Sequence, residues 1–144
     1  MKKGTVWGHQ VGEQDFAAAE KYLALLFTQD EAAQLTRSLR VAPFTEYAAK
    51  DLLRASQTHL LDKDNPEVAK DLKKIRKGKK LVPVLLVRGD GNRGATLTIA
   101  DGYHRICASW QWDEKCPVAT YVADHPSNFW QRARKGPRGK RSHS

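Results

Sequence analysis

The stretch TIADGYHRICASW, residues 98–110, decides how we interpret the rest of the chain. β-branched and apolar residues run up to the Asp-Gly pair at 101–102, which predicts a strand that ends in a turn. Tyr103, His104 and Arg105 then fall in what the pattern predicts to be the first turn of a helix. Backbone N–H groups at a helix start have no partner inside the helix and lie at the positive end of its dipole. The junction is therefore typical of a site for a phosphate or a carboxylate.

Each residue of this turn has a predicted role. Gly102 lets a ligand approach the backbone, and His104 and Arg105 bring side-chain donors to the same place. Asp101 is a candidate helix cap, and with an anion bound it could instead hold a divalent metal such as Mg²⁺ or accept a proton. We assign Asp101 and His104 as catalytic candidates, Asp101 as the metal ligand, and Gly102, Tyr103, His104 and Arg105 as phosphate-binding candidates. In the alternative interpretation Asp101 is only a cap, Tyr103 packs, and His104 is an ordinary surface imidazole.

The N-terminal part of the chain predicts a helical hairpin. Apolar residues recur at helical spacing over 15–27, with Asp15 as the candidate N-cap. Thr28 and Glu31 form the Thr-x-x-Glu pattern in which each side chain satisfies the other's backbone donor at a helix start. No polar cluster converges on either helix, so we interpret the hairpin, about residues 15–40, as scaffold.

The rest of the chain predicts a small mixed sheet with helices. After a strand and a single helical turn, Asn65 caps a helix that Gly78 ends. The runs LVPVLLVRG at 81–89 and ATLTIA at 95–100 predict two buried strands joined by a hairpin-like loop. The helix that follows the Asp-Gly turn leads to a last strand, CPVATYV at 116–122. The predicted fold class is therefore α+β.

Composition places the chain among folded globular proteins. It has 144 residues, of which 40% are hydrophobic and 28% charged, and we predict one domain over residues 1–130. No apolar run is long enough to span a bilayer and no secretory signal is recognised, so the expected location is the cytoplasm, without a membrane partner. Cys107 and Cys116 are expected to be reduced thiols there.

Positive charge is concentrated in the C-terminal tail. The formal net charge is +9, and residues 131–144 supply six cations and no acid. This tail lacks apolar periodicity and is expected to be disordered. Its expected role is either to increase solubility or to bind nucleic-acid phosphates without sequence preference. The polar face of the helix after Asn65 is also basic, which suits either a solvated surface or phosphate binding. The nucleic-acid-binding candidates are Lys73, Lys74, Lys77, Arg132, Arg134 and Lys135.

The junction and its surroundings resemble the ParB/sulfiredoxin superfamily. The resemblance rests on IADGYHRICASW at 99–110, NPEVAKDLKKIRKGKKLVPVLLV at 65–87 and CPVATYV at 116–122, and it covers about residues 46–122. The signature of that superfamily is Gly-x-His/Arg-Arg followed by a small residue. The resemblance implies a ParB/sulfiredoxin-like fold, with the helical hairpin and the basic tail outside it.

In that superfamily the Gly-x-x-Arg turn and the helix after it bind the phosphates of a nucleotide or of a nucleic-acid backbone. The resemblance therefore implies Gly102, His104 and Arg105 as phosphate ligands. It also implies Ala108 as the small residue that allows close helix packing. Arg54, in the segment DLLRAS, is a weaker phosphate-binding candidate.

The sequence departs from the superfamily pattern in two ways, and each makes one of the superfamily's activities unexpected here. Sulfiredoxin has its catalytic cysteine directly after the motif glycine, where this chain has Tyr103, and Cys107 lies about one turn further along. Sulfinic-acid reduction is therefore not expected. Partition-type ParB proteins carry a glutamate at the Tyr103 position and continue into helix-turn-helix and dimerisation domains that this chain lacks, so centromere-specific partitioning is not expected either.

The sequence therefore predicts a stand-alone ParB-like domain that binds a phosphate-bearing ligand, with DNA as the favoured partner and a nucleotide as the other. As a nuclease or nucleotide hydrolase, it would use Asp101 with a divalent metal to activate water, and Arg105 to steady the phosphate charge. One alternative is a nucleotide-dependent small-molecule kinase of the same superfamily with Glu46 or Asp51 as base. Another is a protein-interaction module that uses the hairpin as its contact surface. The residues leave these alternatives open.

Overall fold

The computed structural model describes residues 4–89 and 97–125, and within these ranges it is a mixed α+β fold with five helices and two sheets. The helices are α1 (Glu13–Leu26), α2 (Gln29–Arg40), α3 (Ala49–Ser56), α4 (Pro66–Arg76) and α5 (Tyr103–Trp112). The strands are β1 (Val6–Trp7), β2 (Phe44–Ala48), β3 (Lys80–Leu81), β4 (Val84–Arg88), β5 (Leu97–Asp101) and β6 (Pro117–Asp124). None of these helices combines the length and the apolar surface that crossing a bilayer requires.

The main sheet has the strand order β2-β6-β4-β5. Strands β4 and β6 run parallel, while β2 pairs with β6 and β4 pairs with β5 in antiparallel fashion. The loop that the sequence predicts between β4 and β5 lies outside the described residues. Strands β1 and β3 form a separate two-stranded parallel sheet. The order places β2 and β5 at opposite edges of the main sheet.

Helices cover both faces of the main sheet. Val84 and Leu86 of β4 pack in one apolar cluster with residues of α3, α4 and α5. Leu85 and Val87 of the same strand pack in a second cluster with residues of α1 and α2. Because both of its faces are buried, β4 carries a continuous apolar run rather than an alternating pattern.

The predicted hairpin is confirmed as α1 and α2, but the cap assigned to α1 is wrong. Thr28 and Glu31 form the predicted capping box, with Glu31 N–H donating to Thr28 Oγ1 (3.1 Å) and Thr28 N–H to Glu31 Oε1 (3.0 Å). The N-cap of α1 is Gly12, and Asp15 lies three residues after it. The Asp15 carboxylate accepts a hydrogen bond from Gly12 N–H (3.3 Å). A glycine has no side chain that marks it as a cap, and the acid at the third helical position carries the polar group that a capping pattern would place at the N-cap.

Two other predictions change in detail. The single helical turn near Asp51 is an eight-residue helix, α3. The run LVPVLLVRG is divided at Pro83, which has no N–H to donate to a neighbouring strand, and its first part pairs with the unpredicted strand β1. The limits of α4 are confirmed: Asn65 Oδ1 accepts from two backbone N–H groups at its start, and Gly78 with φ +69 follows its end.

Candidate functional site

The strand-turn-helix junction forms where the sequence predicts it, and the chain turns at Gly102. Strand β5 ends at Asp101, Gly102 is the N-cap with φ +108, and α5 begins at Tyr103. A Cβ at Gly102 would lie 2.4 Å from Cγ1 and 2.7 Å from Cβ of Val84. Glycine is therefore required by the left-handed backbone and by close packing on β4, whether or not a ligand approaches. The start of α5 has no side-chain cap.

Asp101 does not cap α5, contrary to the prediction. It still belongs to β5, one residue before the N-cap position, and its Oδ2 accepts a hydrogen bond from Nη2 of Arg105 (2.8 Å). The Asp101 and Arg105 side chains are only 20% and 15% exposed. Burial raises the pKa of Asp101 above its ordinary value, and the neighbouring Arg105 guanidinium opposes that rise. An anion at this turn has to share Arg105 with Asp101.

Helix α5 holds the segment that follows α3. The Tyr103 hydroxyl donates to the backbone carbonyl of His59, and Gln111 Nε2 donates to the Leu61 carbonyl (3.0 Å). Leu61 N–H donates to Sγ of Cys107 (3.5 Å). The Tyr103 hydroxyl therefore has a structural partner, and the segment around His59 is fixed beside the turn.

Both cysteines are buried and form no disulfide. Burial raises the pKa of the Cys107 thiol, against smaller opposing effects of the Leu61 N–H and Tyr103 hydroxyl groups. A thiol held protonated in an apolar cluster is a poor nucleophile.

Two depressions meet at the turn. The larger, which we call the edge groove, has a volume of about 810 Å³ and borders strand β5. Its lining residues are Tyr22, Leu26, 56–59 and 97–104. The smaller, which we call the polar recess, has a volume of about 230 Å³. Its lining residues are Asp15, Glu67, Lys70, Asp71, Lys74, Asp101, Gly102, His104 and Arg105. Asp101, Gly102 and His104 line both.

The polar recess contains a carboxylate that the sequence analysis missed. Asp71 of α4 is 9% exposed, and burial raises its pKa, while the charges of Lys74 and Arg105 oppose that rise. The sequence contains a pattern that could have identified this residue, because Asp71 lies on the same helix face as the apolar residues Val68, Leu72 and Ile75. An acid on an otherwise apolar helix face is a candidate for a functional or paired group.

The structure brings some of the predicted cations to the turn and leaves others away from it. Lys74 lines the polar recess, while Lys73 is exposed on α4 and Lys77 is exposed at the C-cap of that helix. Arg54 lies on α3 with its side chain 82% exposed, pairs with Asp51 at 3.3 Å, and lines neither depression. The predicted candidates Arg132, Arg134 and Lys135 and the rest of the tail lie outside the described residues.

The carboxylates proposed for kinase chemistry lie elsewhere. Glu46 is exposed on β2, at the edge of the sheet opposite β5. Asp51 lines a separate recess between α3 and the sheet. Neither residue lines the edge groove or the polar recess.

A metal role for Asp101 stays a prediction. Its Oδ2 is engaged by Arg105. In the described ranges, no three His, Cys, Asp or Glu side chains form a group that could hold a metal ion. The residues in their present arrangement do not form a metal centre, so we derive no metal-dependent step.

Comparison of the chain with protein-family models, with curated proteins and with solved structures gives no match.

Proposed function

We propose that this chain is a stand-alone ParB/sulfiredoxin-like domain that binds the phosphates of nucleic acid at the start of α5 and along α4. One observation carries the proposal: Lys70 and Lys74 of α4 line the same recess as the turn residues Gly102, His104 and Arg105. Lysines one turn apart on a helix follow one face. That face therefore continues the anion site at the turn onto the outer surface of α4.

The charges of the polar recess determine where a phosphate fits. Its four carboxylates outnumber Lys70, Lys74 and Arg105, so the interior of the recess does not favour an anion. Arg105 is paired with Asp101, and Lys74 lies 4.0 Å from Asp71. A phosphate is best placed at the mouth, against the uncapped N–H groups of α5 and the two lysines. Lys73 and Lys77 extend the cationic surface for further phosphates of the same backbone.

Two features support the superfamily part of the proposal. From β2 onward the described elements follow the order strand, helix, helix, strand, strand, helix, strand when the short β3 is set aside. The Gly-x-x-Arg turn falls between a strand and a helix, as the resemblance requires. The hairpin of α1 and α2 is an addition to this unit and covers the second face of its sheet. We propose binding and assign no general base, because Asp101 is engaged by Arg105.

A matched pair of double variants tests the nucleic-acid surface. Lys70→Gln with Lys74→Gln removes two cations at the proposed site, and Lys21→Gln with Lys115→Gln removes two exposed cations elsewhere. Binding of a fluorescent DNA duplex is measured by anisotropy over a series of salt concentrations. If both lysines contact phosphates, the first variant should flatten the slope of log K against log salt by about 1.8, and the second should leave it unchanged. Removing residues 131–144 from the wild type measures how much the tail contributes to duplex binding and to its salt dependence.

A second pair of variants tests the turn. Arg105→Gln is made together with Asp101→Asn, so that no unpaired charge is left buried. This variant should weaken duplex binding, whereas Arg54→Gln, which removes an exposed cation away from the turn, should not. Equal effects of the two variants would overturn the assignment of the turn. Thermal stabilisation by a nucleotide in the absence of duplex binding would favour the nucleotide hydrolase or kinase alternative instead.

A further inference from the structure

The helical hairpin carries a groove between α1 and α2, which we call the hairpin groove. It has a volume of about 770 Å³, and exposed residues such as Lys21 and Asp30 border it. Its lining residues are Glu13, Ala17, Glu20, Lys21, Ala24, Gln29, Asp30, Ala32, Ala33 and Arg40. The alanines leave room between the two helices, and the other side chains are charged or polar. The hairpin groove therefore offers an apolar floor with a charged rim.

Carboxylates outnumber cations in the lining of the hairpin groove. At one end Glu13 binds Arg40 through two hydrogen bonds, which Arg40 Nη1 donates to Oε2 (2.7 Å) and Nη2 to Oε1 (2.9 Å). Lys21 is the other cation of the lining. Glu20 and Asp30 form no salt bridge with residues of the ranges 4–89 and 97–125. The groove thus holds one carboxylate that is paired with an arginine and two that can bind further cations.

The last residue that the structure describes, His125, lies beside this groove. Its ring contacts that of Phe27, with ring centroids 4.5 Å apart, and its Nε2 lies 3.9 Å from Oε2 of Glu31. Phe27 caps the end of α1, and Glu31 belongs to the first turn of α2. Gln29 and Asp30, which line the groove, lie between these two residues in the sequence. The chain therefore continues past His125 from the end of the groove that lies opposite the pair of Glu13 and Arg40.

The sequence after His125 is long enough and basic enough to occupy the hairpin groove. Residues 126–144 contain six cations and no acid, and all six cations lie within 131–141. Asp30 and Arg40 are about 15 Å apart along α2, at about 1.5 Å per residue, and about five extended residues span that distance. Phe129 and Trp130 precede the cations and supply aromatic surface for the alanine floor. The tail can therefore enter the groove at the α1–α2 turn and place several cations along it.

We propose that the hairpin groove binds the basic segment of this chain's own tail, residues 131–141. Arginine guanidinium groups of the tail bind the carboxylates of Glu20 and Asp30, as Arg40 binds Glu13 at the other end of the groove. A segment of the same chain binds at a high effective concentration, so weak individual contacts are sufficient. The inference involves neither α4 nor the start of α5, and it does not rest on the nucleic-acid proposal.

Paramagnetic broadening of NMR signals in the full chain tests this contact. Ser142→Cys, directly after the basic segment, carries a nitroxide spin label, and the native Cys107 and Cys116 are buried, so the label attaches at position 142. At low salt, amide signals of residues 17–33 should lose more intensity than those of α3 and α4, which pack on the opposite face of the sheet. Salt at about 1 M, where the Debye length is about 3 Å, should reverse the loss. Equal broadening of both layers, or none in the hairpin, would overturn the proposal.

A matched pair of double variants tests the charge contacts in the labelled chain. Glu20→Gln with Asp30→Asn removes both carboxylates proposed to bind the tail. Glu46→Gln with Glu114→Gln removes two exposed carboxylates that do not line the groove, so the net charge changes equally. The first variant should lose the broadening of the hairpin signals and the second should keep it, with amide chemical shifts of the main sheet as the check on folding. Equal effects of the two variants, whether retention or loss, would contradict the proposal.

A mixed sample distinguishes the chain's own tail from the tail of a second copy. Isotope-enriched chain without a spin label is mixed with spin-labelled chain that is not enriched. We expect no broadening of the hairpin signals in this sample, because the contact lies within one chain. Broadening as strong as in the singly labelled chain would assign the groove to the tail of a second copy and overturn the intramolecular contact. These measurements contain no nucleic acid, so their outcome is independent of the duplex-binding experiments.

Discussion

Gly102 is fixed by two requirements that act within the fold. Its backbone is left-handed, and Val84 occupies the space in which a Cβ would lie. Both requirements exist without a ligand. The glycine of the turn therefore has a structural role that does not depend on ligand binding.

We expect Gly102→Ala to lower the free energy of unfolding by about 2–5 kcal/mol, through backbone strain and overpacking against Val84. Urea unfolding measures the loss. In a Val84→Ala background the same change should cost less, because the Cγ1 atom that it strikes is absent while the strain remains. Gly4→Ala is the control, since nothing lies within 4 Å of a Cβ at that position. A loss as small as that of Gly4→Ala would contradict this account.

Asp71 should make stability depend on pH. Burial raises its pKa in the folded protein, whereas in the unfolded chain the pKa is ordinary, about 3.9. As the pH rises from about 3.9 through the raised folded pKa, the unfolded state loses this proton first, so the free energy of unfolding falls. Asp71→Asn should therefore reduce the loss of stability between about pH 4 and pH 7.

Urea unfolding at both pH values checks this prediction, with Asp64→Asn at an exposed position as the control. Asp101 also has a raised pKa, so part of the pH dependence should remain in Asp71→Asn. A variant with the full wild-type dependence would show that the Asp71 carboxylate does not titrate as its burial requires.

At the scale of elements, α5 organises the site by contacts at both of its ends. Its first turn carries Tyr103, which bonds the His59 carbonyl, and its last turn carries Gln111, which bonds the Leu61 carbonyl. These bonds hold the polar wall of the edge groove against the helix. The helix at whose start we propose phosphate binding therefore also shapes the groove beside it.

Tyr103→Phe removes the bond to the His59 carbonyl and keeps the ring. We expect a loss of about 0.5–1.5 kcal/mol in the free energy of unfolding and faster amide exchange in residues 57–61. Tyr47→Phe, at an exposed position of β2, is the matched control. Exchange in residues 57–61 that is unchanged by Tyr103→Phe would show that the hydroxyl does not hold this segment.

At the scale of the whole molecule, the fold is a sheet between two helical layers. Leu85 and Leu86 are neighbours in β4, and each is fully buried in a different layer. The hairpin of α1 and α2, which lies outside the superfamily resemblance, supplies one of these layers. Its role as scaffold is therefore to bury the second face of the main sheet.

Leu85→Ala and Leu86→Ala should each lower the free energy of unfolding by about 2–5 kcal/mol, because both leave a cavity in a packed layer. Leu25→Ala, at a position that is 80% exposed, should change it by less than about 0.5 kcal/mol. Thermal or urea unfolding of the three variants measures these effects. A small loss from Leu85→Ala alone would show that the hairpin does not pack on the sheet as described.

The sequence by itself determined the features that depend on neighbouring residues. The capping box of Thr28 and Glu31, the cap at Asn65 and the stop at Gly78 are formed by groups within a few positions of one another. The strand-turn-helix order around Gly102 follows from the same kind of local pattern. Short-range hydrogen bonds and periodicity fix these features, so the sequence alone was sufficient to predict them.

Only the tertiary structure decided which side chains surround the turn. Asp71 and Lys70 come from α4 and His59 from the segment after α3, and no local pattern states that they meet α5. The pairing of Arg105 with Asp101 likewise depends on burial, which is set by the layers packed around the sheet. Contacts between distant parts of a chain follow from how its apolar faces are buried together, and that arrangement is a property of the whole fold.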